Sequence, residues 1–306
     1  MTSPLQQTLA IVEQHAALGL PTNVDENALP ADGTPHAVAY AAARRLGFID
    51  ADANCIAQAW QRQSERTGRF DITAWPKEPC DFGVTAASER TNAFAPCPQQ
   101  LGLYAVLPTA EWVGRMARAG VPTVQLRFKS ADAQAVRDEI RAAVDAVKGT
   151  NSLLFINDHW REAIAAGAYG VHLGQEDLDT LTAEDLATIR QTGLRLGLST
   201  HGYAEMLRAD AVGPSYLALG AVFPTTLKAM ATPPQGTGRL HAYAQLMHDR
   251  SLVAIGGIGA EQLPEIATSG VGSFAVVRAI TADAQPEAAA ASLQAQWRSL
   301  TVAQKN

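Results

Sequence analysis

FINDHWREAIAAGAYGVHLGQED, residues 155–177, sets the pattern for most of the chain. A run of apolar residues stops at Asn157-Asp158 and is followed by a segment with helical spacing of its apolar positions. A second apolar run then reaches Gln175-Glu176-Asp177. Two short apolar strands separated by one amphipathic helix belong to a parallel sheet covered on both faces. The carboxylates pose a separate problem, because a carboxylate beside an apolar core costs free energy unless something pairs with it.

The same alternation extends in both directions. Short apolar, often β-branched runs occur at LGLYAVL (101–107), VPTVQLRF (121–128), SLLFIND (152–158), YGVHLG (169–174), LRLGLST (194–200), YLALGAV (216–222), LVAIGG (252–257) and VGSFAVV (271–277). Between most of them lie Ala-rich segments of helical period, such as TAEWVGRMARAG and AEQLPEIATSG. Eight strands alternating with helices in this span predict an α/β fold, a (β/α)8 TIM barrel. An open doubly wound sheet is the alternative, but eight near-equal units favour closure. No G-x-G-x-x-G follows the first strand to support dinucleotide binding.

The first hundred residues read differently. LGLPTNVDENALPADGTP is rich in Pro, Gly, Asn and Asp and predicts a loop. HAVAYAAARRLGFI and ANCIAQAWQRQSER carry helical spacing, whereas WPKEPCDFGVTAASERTNAFAPCP has little regular period. The chain therefore divides into an N-terminal segment, 1–99, mostly helical or irregular and without a chemical motif, and a barrel, 100–306.

Composition removes several functions. Of the 306 residues, 24 are basic and 30 acidic, a net charge of −6, so no broad cationic face is available for nucleic acid. Cys55, Cys80 and Cys97 are odd in number and lack C-x-x-C spacing, which argues against a structural zinc site and for reduced thiols. No apolar run approaches the ~20 residues that span a bilayer. The N-terminus lacks the basic start and apolar stretch of a signal peptide, so a cytoplasmic location is expected.

In such a barrel the chemistry sits at the C-terminal ends of the strands. The polar residues gather there: Gln125, Arg127 and Lys129 after strand 2, Asn157 and Asp158 after strand 3, and Gln175 to Asp177 after strand 4. Ser199, Thr200 and His201 follow strand 5. Thr225 and Lys228 follow strand 6, Gly256-Gly257 strand 7, and Val277-Arg278 strand 8. Neighbouring strands lie about 4.8 Å apart, so Asp158 and Asp177 can meet at one point. Two carboxylates with bound water suit Mg²⁺, which leaves positions open for substrate phosphates. The alternative is that each Asp caps the helix that follows it. Arg127, Lys129 and Lys228 supply charge-assisted donors for a polyanion such as pyrophosphate, although a rim cation alone is often only solvated. Gly256-Gly257 and the turn after Val277 offer backbone N–H groups for a phosphate, though Gly also marks plain turns. His172 is expected as a packed, hydrogen-bonded strand residue, His201 as a helix-start residue rather than a base, and His159 on the third helix of the barrel. The Trp and Tyr residues are expected to pack, with Tyr104 as an alternative lining for a ring pocket.

VQLRFK, INDHWREAIAAGAYGVHLGQEDL, GLSTH, ALGAVFPTTLK and VAIGGI, in this order, closely resemble the thiamine phosphate synthase family over Leu101 to about Ala290. The resemblance implies joining of a hydroxymethylpyrimidine diphosphate to a thiazole phosphate carboxylate, giving thiamine phosphate and pyrophosphate. It assigns Gln125 and Ser199 to the pyrimidine, Arg127, Lys129, Asn157 and Lys228 to the diphosphate, and Asp158 and Asp177 to Mg²⁺. Thr225, Gly257, Val277 and Arg278 fall to the thiazole phosphate, and Lys129, Ser199 and Lys228 carry the catalytic roles. It also implies that pyrophosphate leaves first. The aminopyrimidine then stabilises the cation left behind, and the thiazole nitrogen attacks it. Two positions depart from the family pattern. Leu227 replaces a Thr, and Arg278 replaces a Ser at the thiazole phosphate site. Competing readings are a thiazole tautomerase, which does not need the carboxylates and lysines together, and a catalytically silent thiamine-pathway binding or regulatory protein. Small-molecule substrates are expected as the partners. The N-terminal segment is either a helical appendage on the barrel or the worn remnant of a fused enzyme of the same pathway.

Overall fold

The computed structural model describes residues 2–225 and 232–303. Eight parallel strands close into a barrel in chain order: β1 (Gly102–Leu107), β2 (Thr123–Leu126), β3 (Leu153–Asn157), β4 (Gly170–Leu173), β5 (Arg195–Thr200), β6 (Tyr216–Leu219), β7 (Leu252–Ile255) and β8 (Ser273–Val276). Each lies inside one of the eight apolar runs. Pairing of Tyr104 with Ala275 closes the ring, and the open-sheet alternative is excluded. Three helices precede the barrel, α1 (Pro4–Gln14), α2 (Pro35–Arg45) and α3 (Asp50–Thr67). The outer layer consists of α4 (Ala110–Arg118), α5 (Ala133–Ala146), α6 (Trp160–Ala166), α7 (Gln175–Thr180), α8 (Ala183–Gln191), α9 (Tyr203–Val212), α10 (Gly236–Leu246), α11 (Leu263–Thr268), α12 (Arg278–Thr281) and α13 (Pro286–Ala303).

Side chains on each strand alternate between two cores. Leu103, Ala105 and Leu107 of β1 face the helices, whereas Tyr104 and Val106 join Phe155, Tyr216, Val253 and Ala275 inside the barrel. The aromatic rings fit because two inward positions are glycine. A Cβ on Gly170 would stand 2.3 Å from the Phe155 ring, and one on Gly197 would stand 2.1 Å from Tyr216. Tyr104 is therefore a wholly buried interior residue that donates to or accepts from Tyr216 at 2.8 Å, and it does not line a ring pocket.

The N-terminal segment is a layer continuous with the barrel's outer core rather than a separate body. Trp60, Phe48, Ile11 and Ile56 are wholly buried, and their apolar cluster runs on into Tyr203, Met206, Leu240 and Tyr243 of α9 and α10. The two helical segments expected there are α2 and α3. α1 was not expected, although Ser3, Pro4 and Gln6 form a capping box with proline at the first helical position.

Residues 79–100, irregular as expected apart from two short 3₁₀ turns, strap the end of the barrel opposite the strand C-termini. The Phe94 N–H donates to Gly213 O (2.8 Å), and the hydroxyls of Ser215 and Ser251 donate to Ala95 O and Pro98 O. Buried Asp210 is paired with both Arg250 (2.9 Å) and Arg90. Cys55, Cys80 and Cys97 are free thiols. Among the described residues no helix is long and apolar enough to cross a membrane.

Candidate active site

A cavity of about 930 Å³ opens at the C-terminal ends of the strands. Its floor is the last inward-facing residue of each strand, and the floor is divided by chemistry. β2 to β5 contribute Gln125, Asn157, His172 and Ser199. β6, β7, β8 and β1 contribute Ala218, Ile255, Ala275 and Val106. One half can hydrogen-bond a polar ring while the other offers an apolar wall.

The polar half is internally ordered. Gln125, buried, donates through Nε2 to Asn157 Oδ1 (2.8 Å), which leaves its own carbonyl for a ligand. His172 lies 2.8 Å from the Ser199 hydroxyl through Nε2 and 2.6 Å from the Tyr216 hydroxyl through Nδ1. Tyr216 in turn meets Tyr104, so a hydrogen-bonded file runs from the barrel interior to the cavity floor. The expected packed histidine is thus found, and it also lines the cavity.

Above the floor stand the charges. Arg127 and Lys129 follow β2, Asp158 follows β3, and Asp177 lies in the first turn of α7. β4 ends at Leu173, so Gln175, Glu176 and Asp177 start a helix rather than end a strand. Asp177 does cap that helix, its Oδ2 accepting from the Gly174 N–H at 2.7 Å, so the capping alternative holds for this residue. One oxygen used in a cap leaves the other for a ligand. Asp158 is different. It has φ +65°, in the left-handed region that a non-glycine residue rarely enters. The His159 and Trp160 N–H groups fold back on Asn157 O and Asp158 O within that turn, both at 2.8 Å. Such strain persists only where surrounding structure enforces it, and it collects at functional sites. Withdrawal from solvent, and then the neighbouring Asp177, hold the Asp158 carboxyl above its ordinary value, opposed by Lys129, His159 and Arg127. His159 is the residue before α6 rather than part of it.

The remaining rim comes from β5 to β8. Thr225, Gly257, Val277 and Arg278 all line the cavity. Gly256 and Gly257 have φ +101° and +67°, and a Cβ on either would stand within 2.6 Å of the Ala221–Pro224 segment. The two glycines therefore let the turn after β7 press against the turn after β6. Lys228 and the unusual Leu227 lie outside the described residues. Two cavity residues escaped the sequence reading as a pair: His201 Nδ1 meets Glu205 Oε2 at 2.6 Å. Their i, i+4 spacing at a helix start was the available signal.

A family model described as thiamine monophosphate synthase matches residues 103–280. The thiamine-phosphate synthase of Neisseria meningitidis serogroup B is 53% identical over 204 residues, which is 67% of this chain and 98% of that protein. The corresponding protein of Photorhabdus laumondii is 50% identical over 188 residues, 61% of this chain and 86% of its own length. Among solved structures, a thiamine phosphate pyrophosphorylase from Pyrococcus furiosus superposes with a TM-score of 0.57 at 26% identity, covering 65% of this chain and 96% of that one. The matched region is the barrel that carries the cavity, and the chain belongs to the thiamine monophosphate synthase family.

Proposed function

We propose that this barrel joins 4-amino-2-methyl-5-(diphosphooxymethyl)pyrimidine to thiazole phosphate carboxylate, releasing pyrophosphate and carbon dioxide and leaving thiamine phosphate. The observation that carries the reading is the convergence of Arg127, Lys129, Asp158 and Asp177 over a floor holding Gln125, Asn157 and Ser199. A thiazole tautomerase has no use for a diphosphate clamp, so this constellation favours the synthase.

The C–O bond to the diphosphate breaks first, and its electron pair leaves with pyrophosphate. Arg127 and Lys129, with Lys228, balance the charge that grows on the leaving group, an effect worth most in a water-poor cavity. Gln125 and Ser199 hold the aminopyrimidine, whose amino group feeds electron density to the exocyclic carbon. Asn157, oriented by Gln125, adds a donor to the diphosphate. Thr225, Gly257, Val277 and Arg278 seat the thiazole phosphate so that the ring nitrogen faces that carbon and closes the new C–N bond. Residues 100–306 are the catalytic unit, acting on small-molecule substrates in the cytoplasm.

Mg²⁺ fits the donor set. Among the described residues no group of three His, Cys, Asp or Glu could enclose a metal, and a pair of carboxylates is what Mg²⁺ takes when phosphate oxygens complete its sphere. Asp158 and Asp177 would hold it, and when bound it neutralises charge on the diphosphate. The charge of Asp177 adds to the cost of ionising Asp158, and a cation between them would remove that cost.

The test is pyrophosphate release with both substrates across a Mg²⁺ titration. Asp158→Ala and Asp177→Ala should each lower turnover by roughly a hundredfold or more while leaving the fold intact. Wild-type turnover in excess EDTA, or near-normal rates in both variants, would sink the metal assignment.

A further inference from the structure

The helix that follows β5 has no cap of its own. α9 starts at Tyr203, and the residue before it, Gly202, has no side chain to accept from the first-turn N–H groups. The cap comes from 152 residues upstream: Asp52 of α3 accepts from the Ala204 N–H through Oδ1 at 2.8 Å. Asp52 is 3% exposed and occupies the space that a side chain at position 202 would fill. A Cβ on Gly202 would stand 2.2 Å from Asp52 Oδ2, although its extended backbone (φ 175°) would suit any residue.

This turn belongs to the cavity. Ser199, Thr200, His201 and Glu205, on either side of Gly202, all line it. The N-terminal layer grips the same turn a second time through Tyr203. That ring is stacked on Phe82 at 5.2 Å and 8°, and its hydroxyl accepts from Trp75 Nε1 at 3.0 Å. Every one of these outside contacts comes from residues 52–82, which lie before the segment matched by the family model.

We infer that Asp52 is a positioning residue for the active site: by capping α9 from the N-terminal layer it sets the β5–α9 turn that presents Ser199, Thr200 and His201 to the pyrimidine substrate. The inference rests on the synthase reading for its substrate but not for its geometry. It gives the N-terminal segment a catalytic consequence without a catalytic group. An N-cap that is lost lets the first turn of the helix fray, and here the frayed turn would carry cavity residues with it.

The test compares Asp52→Ala, which removes the acceptor, with Asp52→Asn, which keeps an oxygen for the Ala204 N–H. Thr34→Ala serves as control, because Thr34 caps α2 in the same layer, accepting from Ala37, and lies outside the cavity. Two readouts are taken on the full chain well below each melting temperature: amide hydrogen exchange over residues 199–206 without substrate, and KM and kcat for pyrophosphate release. Asp52→Ala should exchange faster at Tyr203 and Ala204 and raise the pyrimidine diphosphate KM about five- to tenfold, the size of a lost N-cap bond. Asp52→Asn should match wild type in both, and Thr34→Ala should lower only the melting temperature. If Asp52→Ala does not fold, Gly202→Ala displaces the same carboxylate and gives the same comparison. An Asp52→Ala protein with wild-type exchange and KM would overturn the inference, as would Thr34→Ala reproducing both changes. If the wild-type chain itself releases no pyrophosphate, the synthase reading fails, and the exchange data still decide the positioning role.

Discussion

Single residues carry two departures from ordinary barrel chemistry. Arg278 stands at the start of α12 on the cavity rim, where the family pattern has a serine. A guanidinium there would give the thiazole phosphate a charge-assisted donor in place of a hydroxyl. Arg278→Ala should therefore raise the thiazole KM about ten- to a hundredfold, with a smaller effect on the pyrimidine KM. An unchanged thiazole KM would show that only the backbone of this turn meets the phosphate. Asp52 supplies the second departure. Burial pushes its carboxyl from 3.8 to about 6, against the Ala204 N–H and the nearby Arg239, which favour the charged form, and with Glu205, which opposes it. Between those values the folded chain retains a proton that the unfolded chain has released, so stability falls as pH rises from about 4 to about 6. Asp52→Asn should leave stability near pH 4 unchanged and raise it at pH 7.5, by up to about 3 kcal/mol. A variant that is less stable than wild type at pH 7.5 would contradict the raised carboxyl.

At the scale of elements, α10 depends on the N-terminal layer as much as α9 does. Arg239 is 2% exposed and donates to Leu18 O (2.9 Å), Leu46 O (3.0 Å) and Gln235 Oε1 (3.2 Å), with its guanidinium 3.6 Å from the Phe48 ring centroid. Gln235, directly before α10, also donates its N–H to Ala221 O at the end of the β6 run. The arginine thus ties the layer to the return of the β6–α10 connection. Arg239→Leu keeps the apolar stem but takes the side-chain donor from Leu18 O, while Leu46 O retains the Leu20 N–H, and it should cost roughly 1–3 kcal/mol in urea unfolding. A loss below 0.5 kcal/mol would mean that water replaces the guanidinium without penalty. Sequence spacing located α2 and α3 because their apolar faces repeat with helical period. It could not say that those faces pack on α9 and α10, since periodicity marks a buried face but not its partner.

For the whole molecule, the barrel shares its outer core with the N-terminal layer. A chain beginning at Pro98 would lose the Asp52 cap, two of the carbonyls that hold Arg239, and Arg90 from its buried pair with Asp210. It would also bare the surface of α9 and α10 now covered by Phe48, Trp75 and Phe82. Such a patch promotes aggregation, and although Asp210 keeps Arg250, the buried Arg239 guanidinium would lose two of its three acceptors, which is costly. The truncated chain should be poorly soluble or melt well below the full chain, and any soluble fraction should bind the pyrimidine diphosphate more weakly. A truncation with full-length solubility and melting temperature would show that the layer is an appendage and that the barrel stands alone.

The sequence by itself determined the eight strands, their order and the cavity-facing chemistry. Those features are local: a short apolar run with a polar residue at its end can be read without knowing its neighbours, and parallel β/α units place every such end on one face. Gln125, Arg127, Lys129, Asn157, Asp158, Asp177 and Ser199 were legible for that reason, and all seven line the cavity. The left-handed turn at Asp158 and the inward place of Tyr104 depended on the final packing. So did the role of the first hundred residues. Asp52 and Gly202 are 150 positions apart, and neither carries a motif. Only the folded chain puts a carboxylate where a glycine leaves room for it, because a contact between distant segments is decided by the shape of the whole core and not by the pattern of either segment.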